Sequence, residues 1–478
     1  MEAHSAATTS AKLPPGPPER GKGLLSSLPY YWRFSQDPIA FVRERFATYG
    51  DVYYAPSGGV GLFVLRHPDH LHDVLTANAS KYGKGHSALQ RVSAIIGDGM
   101  LTTDGETWRR QRKLSQPAFA RSRLVDYTTI MADEGVRALS GWHAGETRDI
   151  APDMMALTLR VVSKALFGHD LSDADVGVVD RLMSVFQTGA LSANIIPAWL
   201  PNPVMRRLTR ASADLDKLIY GLIERSQRAG ERAEGSEKSK DTLLDLLVHA
   251  VDEEDPKAHL TPREVRDNLL TLLLAGHETT SNALTWTLYA LSQNPEIEAA
   301  LVAEVQAVLG DRPPTFEDLP KLALTERVLK ESMRMYPPVP SMARLASEDT
   351  TIGGYDVPKG SEIILWVYMT HHDPRFYPDP ERFLPDRFLP ENEAKLPKAA
   401  YIPFGAGPRA CIGKAFAMVE AQLLLALLVQ RFRFSLVPGQ KIKVQPRVTL
   451  RPKNGLKMKL FERSRAKDVA LQARSAVR

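Results

Sequence analysis

The sequence predicts a mainly α fold with a small β region, and three observations carry that expectation. A stretch of about thirty residues from Thr261 to Asn294 is largely apolar and opens on a helix-start signal. A second apolar run follows Gly413, with Phe416, Val419, Leu423 and Leu427 at helical spacing. Runs with β character are short and confined to a few places.

In chain order, the 478 residues begin with a stretch rich in Ala, Ser, Thr, Pro and Gly, Met1 to Lys22, holding no apolar run able to cross a bilayer or form a signal-peptide core. Pro14-Pro15-Gly16-Pro17-Pro18 reads as a stiff lead-in, and residues 1–24 are expected to form a flexible Pro-rich segment. No Ser/Gly-rich linker and no internal repeat follows, so residues 25–462 are expected to form one domain. β-prone runs at Val52–Tyr54, Gly61–Leu65, Gly354–Gly360 and Ile363–Trp366 predict a small sheet. Leu208, Leu215, Leu218 and Leu222 predict one helix, and Thr242–Val251 another. The polar, basic tail at 463–478 is expected to be disordered. A hydrophobic fraction of 44% is ordinary for a globular chain, and a net charge of +5 does not say where charge lies.

The long segment opens on Thr261-Pro262-Arg263-Glu264, a capping box with proline at the first helical position. A helix of that length spans roughly 45 to 50 Å. Its middle, Ala275-Gly276-His277-Glu278-Thr279-Thr280, is an odd choice for a helix interior. Glycine costs about 1 kcal/mol there relative to alanine, and threonines can bond back to the preceding turn. A kinked core helix would explain Gly276, but it gives no reason for a carboxylate beside Thr279. His277 lies one residue of rotation away and should point elsewhere.

Cys411 is the only cysteine, so no internal disulfide can form. It sits among glycines that let backbone N–H groups approach the sulfur, at the N-terminus of a predicted helix whose partial positive charge favours a thiolate. A thiolate metal ligand suits that setting; a buried structural cysteine is the plainer alternative. Glu331 and Arg334 share one helical face, and two similar segments follow them, Pro380-Glu381-Arg382-Phe383 and Pro385-Asp386-Arg387-Phe388. In Trp108-Arg109-Arg110-Gln111-Arg112-Lys113, Arg109 and Lys113 are like charges at i, i+4, which destabilise a helix unless something acidic meets them. An exposed basic helix is the simpler alternative.

Phe404, Gly405, Gly407, Arg409, Cys411 and Gly413 fill every fixed position of Phe-Gly-x-Gly-x-Arg-x-Cys-x-Gly, and with the other segments the chain resembles the cytochrome P450 family. The resemblance implies the cytochrome P450 fold, with haem b (iron protoporphyrin IX) between a long distal helix and a proximal Cys-loop helix. Cys411 would ligate the iron, framed by Phe404, Gly405 and Gly413, while Trp108, Arg112, Arg344 and Arg409 would neutralise the propionates. Gly276 would leave room for dioxygen, and Glu278 and Thr279 would manage the protons that its cleavage consumes. Glu331, Arg334 and Arg387 would form a buried ion triad, the later of the two Pro-x-Arg-Phe copies being preferred for its distance from Phe404. The Gly97–Thr102 run is most like the fatty-acid-hydroxylating bacterial type. It places Leu101 in a pocket also lined by Leu272, Ala275, Val339, Ser341, Val448 and Thr449, mostly apolar.

The implied activity is a haem-thiolate monooxygenase that inserts one oxygen atom of O₂ into a lipophilic substrate, such as a fatty acid, terpenoid, steroid or polyketide. No flavin or nicotinamide fingerprint is present, so NAD(P)H electrons would arrive through an acidic ferredoxin or flavodoxin with its reductase. That donor would dock on Arg109, Arg110, Lys113 and Lys414. A peroxygenase or isomerase on the same scaffold would not need the Glu278–Thr279 pair, and a haem sensor would not need so furnished a pocket. The implied setting is a soluble bacterial monomer in the cytoplasm, with no membrane anchor and no nucleic-acid partner.

Overall fold

The computed structural model describes residues 12–18, 24–57, 60–85, 96–168, 203–232, 242–250 and 259–463, with a few isolated positions between them. The flexible lead-in expected up to residue 24 is described only at 12–18, and the expected tail beyond 463 lies outside the described residues.

Helices α1 (Leu24–Gln36) and α2 (Pro38–Tyr49) precede strands β1 (Val52–Ser57), β2 (Val60–Leu65) and β3 (Tyr82–Gly83). Next come α3 (Gly105–Ser115), α4 (Arg121–Ser140), β4 (Thr147–Asp149), α5 (Ile150–Phe167), α6 (Pro203–Arg232) and α7 (Leu243–Val248). The long α8 (Pro262–Gln293) leads into α9 (Pro295–Leu309) and α10 (Ala323–Met335). Strands β5 (Met342–Ala346), β6 (Thr350–Ile352), β7 (Tyr355–Val357) and β8 (Glu362–Leu365) follow. The chain closes with α11 (Lys414–Arg431), β9 (Phe432–Leu436), β10 (Val444–Pro446), β11 (Leu450–Pro452) and β12 (Lys457–Glu462). Helix predominates and the strands form only small sheets, the mainly α class with a small β region that the sequence predicts. The helix expected over Thr242–Val251 is the shorter α7, Val251 itself lying outside the described residues.

The chain forms two compact units, each assembled from separate stretches. The first comprises Met1–His86, Ser341–Pro378 and Leu396–Ala410. Its five-stranded sheet has the order β1-β2-β8-β5-β3, and only the β2–β8 pairing is parallel, with Leu62 opposite Glu362 and Leu65 opposite Leu365. Phe63, Leu65, Leu71, Ile363, Leu365 and Ile402 form its core. The run at 354–360 does not join this sheet. Gly353 and Gly354 both take positive φ, 59° and 80°, and make the two-residue turn that folds β7 back onto β6 as a separate ribbon.

The second unit comprises Ser87–Pro340, Asp379–Lys395 and Cys411–Arg478. Helix α8 starts on the capping box the sequence predicts: Thr261 Oγ1 accepts from Glu264 N–H, and Glu264 Oε2 accepts from Thr261 N–H at 3.0 Å. It runs unbroken for 32 residues, about 48 Å at 1.5 Å per residue, and packs most extensively on α5. Leu269, Leu270, Leu273, Leu284, Leu288 and Leu291 are buried along it, each side chain contributing about 1.5 to 3 kcal/mol. Helix α11 is apolar on every side between Leu423 and Leu428, as a helix surrounded by core must be, and packs on α4. β4, β12 and β9 form a three-stranded sheet, and β10 and β11 a hairpin. Among the described residues no helix is long and apolar enough to cross a membrane.

Candidate functional site

The loop before α11 is shaped by glycine. Gly407 takes φ +68°, and a Cβ on it would collide with the Leu75 carbonyl oxygen, so no other residue fits. Within the first unit, Phe404, Gly405 and Arg409 are half-buried, and so is Ser341; Arg344 on β5 is buried and donates to Ala343 O at 2.8 Å.

In the second unit, Cys411 is reachable by solvent although protein surrounds it closely, so the thiol lies in a recess. Its sulfur stands over the first turn of α11, 4.0 Å from where a Cβ of Gly413 would lie. Burial pushes the thiol's pKa up, opposed by the Gly413 N–H and by the charges of Arg112 and Lys414. Arg112 on α3 therefore lies within electrostatic reach of the sulfur, and its guanidinium stands 6.0 Å from the Trp108 ring centre. Arg109 and Lys113 are exposed. Arg110 is not part of an open basic face: it forms an ion pair with Glu264 and donates to His259 O at 2.8 Å. The acidic group that relieves the crowded charge on α3 belongs in part to the capping box of α8.

Most of α8 from Val265 to Leu291 is buried; Leu272, Leu274, Ala275, Gly276, Thr279 and Tyr289 are not, and of these only Ala275 is exposed rather than half-buried. Spacings of three and four place Leu272, Ala275, Gly276 and Thr279 on one face, so an accessible stripe follows the middle of the helix. Thr279 Oγ1 donates to Ala275 O at 2.7 Å, which leaves its lone pairs on that accessible side. Gly276 has a packing reason as well as an open one, because a Cβ on it would lie 3.1 Å from Val162 of α5. His277 is fully buried with Nδ1 2.6 Å from Leu273 O, and burial lowers its pKa to about 4, so it stays neutral.

Glu278 lies on the buried side of α8. It is 2% exposed and accepts a hydrogen bond from Thr449 Oγ1 at 2.5 Å. Burial depresses the pKa of Arg451, on the same hairpin, while the charge of Glu278 supports it. Thr449 is thus buried against the acid, whereas its neighbour Val448 is 43% exposed. Leu101 is also exposed, at 38%, on a loop fastened to α8: Asp98 N–H donates to Asp267 Oδ2 at 2.8 Å and Met100 N–H to Asn268 Oδ1 at 2.9 Å. Val339 is half-buried. Pattern reading missed Asp267 and Asn268, and also Glu420. Glu420 is fully buried on α11, where burial holds its carboxyl well above the usual range and only Thr280 opposes the shift. A lone acid between Val419 and Ala421 in an apolar run was the available signal.

Glu331 and Arg334 are completely buried and joined by two hydrogen bonds, 2.7 Å from Nε and 2.9 Å from a terminal nitrogen. Arg387 Nε reaches Glu331 Oε1 at 3.3 Å, and Leu384 N–H donates to the same oxygen at 2.9 Å. Of the two Pro-x-Arg-Phe copies it is the later that supplies this arginine. Arg382 of the earlier copy is 69% exposed, and only its carbonyl meets Arg334. Glu331→Gln leaves Arg334 as a buried, uncompensated cation and should cost about 3 to 5 kcal/mol. Denaturant unfolding of the variant checks this, and a loss under about 1 kcal/mol would make the pair no stronger than a surface one.

Haem suits the donor chemistry in the second unit: one accessible thiol at a helix N-terminus, and an indole and guanidinium on α3 that can donate to carboxylates. The family model for cytochrome P450 matches residues 14–460. Cyclooctatin synthase of Streptomyces melanosporofaciens is 36% identical, over 91% of this chain and 92% of its own. Pentalenene oxygenase of Streptomyces avermitilis is 31% identical, over 92% of this chain and 97% of its own. The crystal structure of the cytochrome P450DA haem domain superposes with a TM-score of 0.81 at 28% identity, covering 95% of this chain and 98% of that one. The lone thiol, the accessible face of α8 and the buried ion triad thus occur on a fold and a sequence of one kind, and the chain belongs to the cytochrome P450 family, a haem-iron monooxygenase.

Proposed function

We propose that this monooxygenase carries haem b and acts on a lipophilic substrate of the terpenoid class, with electrons delivered by a separate acidic protein. The accessible stripe Leu272, Ala275 and Thr279 on a mostly buried helix carries the reading, because it offers apolar surface beside one hydroxyl. The terpenoid class is supported by relatives named cyclooctat-9-en-7-ol 5-monooxygenase, 32% identical, and pentalenene oxygenase. When bound, haem iron supplies dioxygen activation. Cys411 would hold the iron as a thiolate, and Trp108 and Arg112 would donate to the propionates, with Arg344 and Arg409 in the same role by family resemblance. Thr279, its own proton committed to Ala275 O, presents an acceptor on the substrate side. Glu278 holds a carboxylate one residue away that can carry protons inward from the hairpin. Leu272, Ala275, Leu101 and Val448 supply the apolar contacts that orient the substrate and exclude water.

Cys411→Ser should abolish the red-shifted Soret band of the carbonmonoxy ferrous protein, and a variant that keeps the band removes Cys411 as the ligand. Terpenoid hydrocarbons and alcohols should produce the substrate-induced spin-state change in the absorption spectrum where fatty acids do not. The opposite ranking would return the substrate to the fatty-acid class that the Leu101 loop resembles.

Arg109 and Lys113 are the exposed members of the basic cluster on α3. Replacing both by Gln should slow reduction by an acidic ferredoxin and flatten its salt dependence, since the Debye length is about 10 Å at 0.1 M. Stopped-flow reduction against ionic strength measures this, and indifference to both changes would end the docking assignment. Arg110→Gln should instead loosen the start of α8, because that arginine is engaged by Glu264.

A further inference from the structure

The hairpin that carries Thr449 is fastened to its surroundings on both sides of the chain. Leu450 O accepts from the Trp286 indole N–H of α8 at 2.9 Å, and Leu450 N–H donates to Pro338 O at 2.9 Å. The turn Arg447–Thr449, between β10 and β11, is closed by a bond from Arg447 N–H to Thr449 O at 3.0 Å. Its backbone is therefore fixed, and the Thr449 hydroxyl is delivered to Glu278 by a rigid support rather than by a wandering loop.

A carboxylate only 2% exposed has lost its water and needs donors in exchange. The Thr449 hydroxyl is one, donating to Glu278 Oε1 at 2.5 Å. Arg451 on β11 supplies opposite charge within electrostatic reach. Glu278 thus rests against the hairpin, about 100° around the helix from Thr279. Any proton it carries to the Thr279 side must leave that resting place.

We propose that Thr449 is a positioning residue for Glu278: its hydroxyl sets where the acid rests, and the strength of that bond governs how readily the acid serves Thr279. The proposal rests on the reading of Glu278 and Thr279 as the proton-handling pair. It departs from the sequence-based expectation that Thr449 forms a pocket wall, because a buried hydroxyl bonded to Glu278 touches the acid and not the accessible space beside Val448.

The test compares Thr449→Val, which keeps the shape and removes the hydroxyl, with Thr449→Ser, which keeps the hydroxyl. In the holoprotein, Thr449→Val should bind substrate within about twofold of wild type by the spin-state titration. Its product per NAD(P)H should fall by about tenfold, the effect of one lost hydrogen bond to a charged group. Thr449→Ser should restore that yield. In the infrared spectrum, the carboxyl band identified by its loss in Glu278→Gln should shift in Thr449→Val and return in Thr449→Ser. Unchanged yield and an unchanged band in Thr449→Val would overturn the proposal, as would weakened substrate binding with normal yield, the signature of a pocket wall. Should the wild type lack the thiolate Soret band, the functional reading fails separately, and the infrared comparison on the protein as purified still decides whether Thr449 holds Glu278.

Discussion

Thr279→Val should leave haem and substrate binding intact and cut product per NAD(P)H by at least about tenfold, with hydrogen peroxide taking up the difference. Valine keeps the shape of the side chain and removes the acceptor that Thr279 presents on the accessible face of α8. Stability should change by less than about 1 kcal/mol, since the lost bond to Ala275 O is exposed and its carbonyl already serves the helix. Peroxide and product assays on one sample give the ratio directly. Thr280 cannot stand in, because it is buried and its hydroxyl bonds Gly276 O at 3.1 Å. Unchanged coupling would therefore take proton handling away from this stretch of the helix.

Glu420→Gln should make the protein more stable at neutral pH, with a gain that grows as pH rises. The folded chain holds the Glu420 carboxyl protonated well above its ordinary value of 4.5, because burial on α11 penalises the anion and no cation faces it among the groups that shift it. The unfolded chain releases that proton above about pH 4.5 while the folded chain keeps it, so the folded state binds more protons and wild-type stability falls with rising pH. The slope is about 1.4 kcal/mol per pH unit, starting above the unfolded value and ending at the folded one. Glutamine has no proton to release and abolishes the slope. Urea unfolding of both proteins from pH 5 upward should show a difference that widens until the folded value is reached, and a difference independent of pH would mean that the native carboxyl is ionised.

What could be read from the sequence was local. The start of α8 follows from Thr261, Pro262 and Glu264 within one turn, and the helical nature of α11 from a spacing repeated inside one segment. Even the choice between two Pro-x-Arg-Phe copies rested on a distance along the chain, and Arg387 does reach Glu331. Pairings that join remote positions were not legible. Thr449 and Glu278 are 171 residues apart, and no periodicity connects a hairpin turn to the middle of a helix. Arg110 and Glu264 are 154 residues apart, so a helix that looked overcharged in isolation is partly neutralised by another. Glu420 was hidden for a different reason: an acid in a helix normally marks its wet face, and only packing reveals that α11 has none there.

The parallel pairing of β2 with β8 has a consequence for how the chain is made. Leu65 must find Leu365, roughly three hundred residues later, and every residue between leaves the ribosome first. At about 5 to 20 residues per second the edge of β2 waits roughly 15 to 60 s for its neighbour, with Phe63 and Leu65 uncovered throughout. An open, apolar edge on that timescale invites pairing with other nascent chains. Yield in a recombinant host should therefore respond to the translation rate of the stretch between β2 and β8 and to chaperone supply, even where the finished protein is stable.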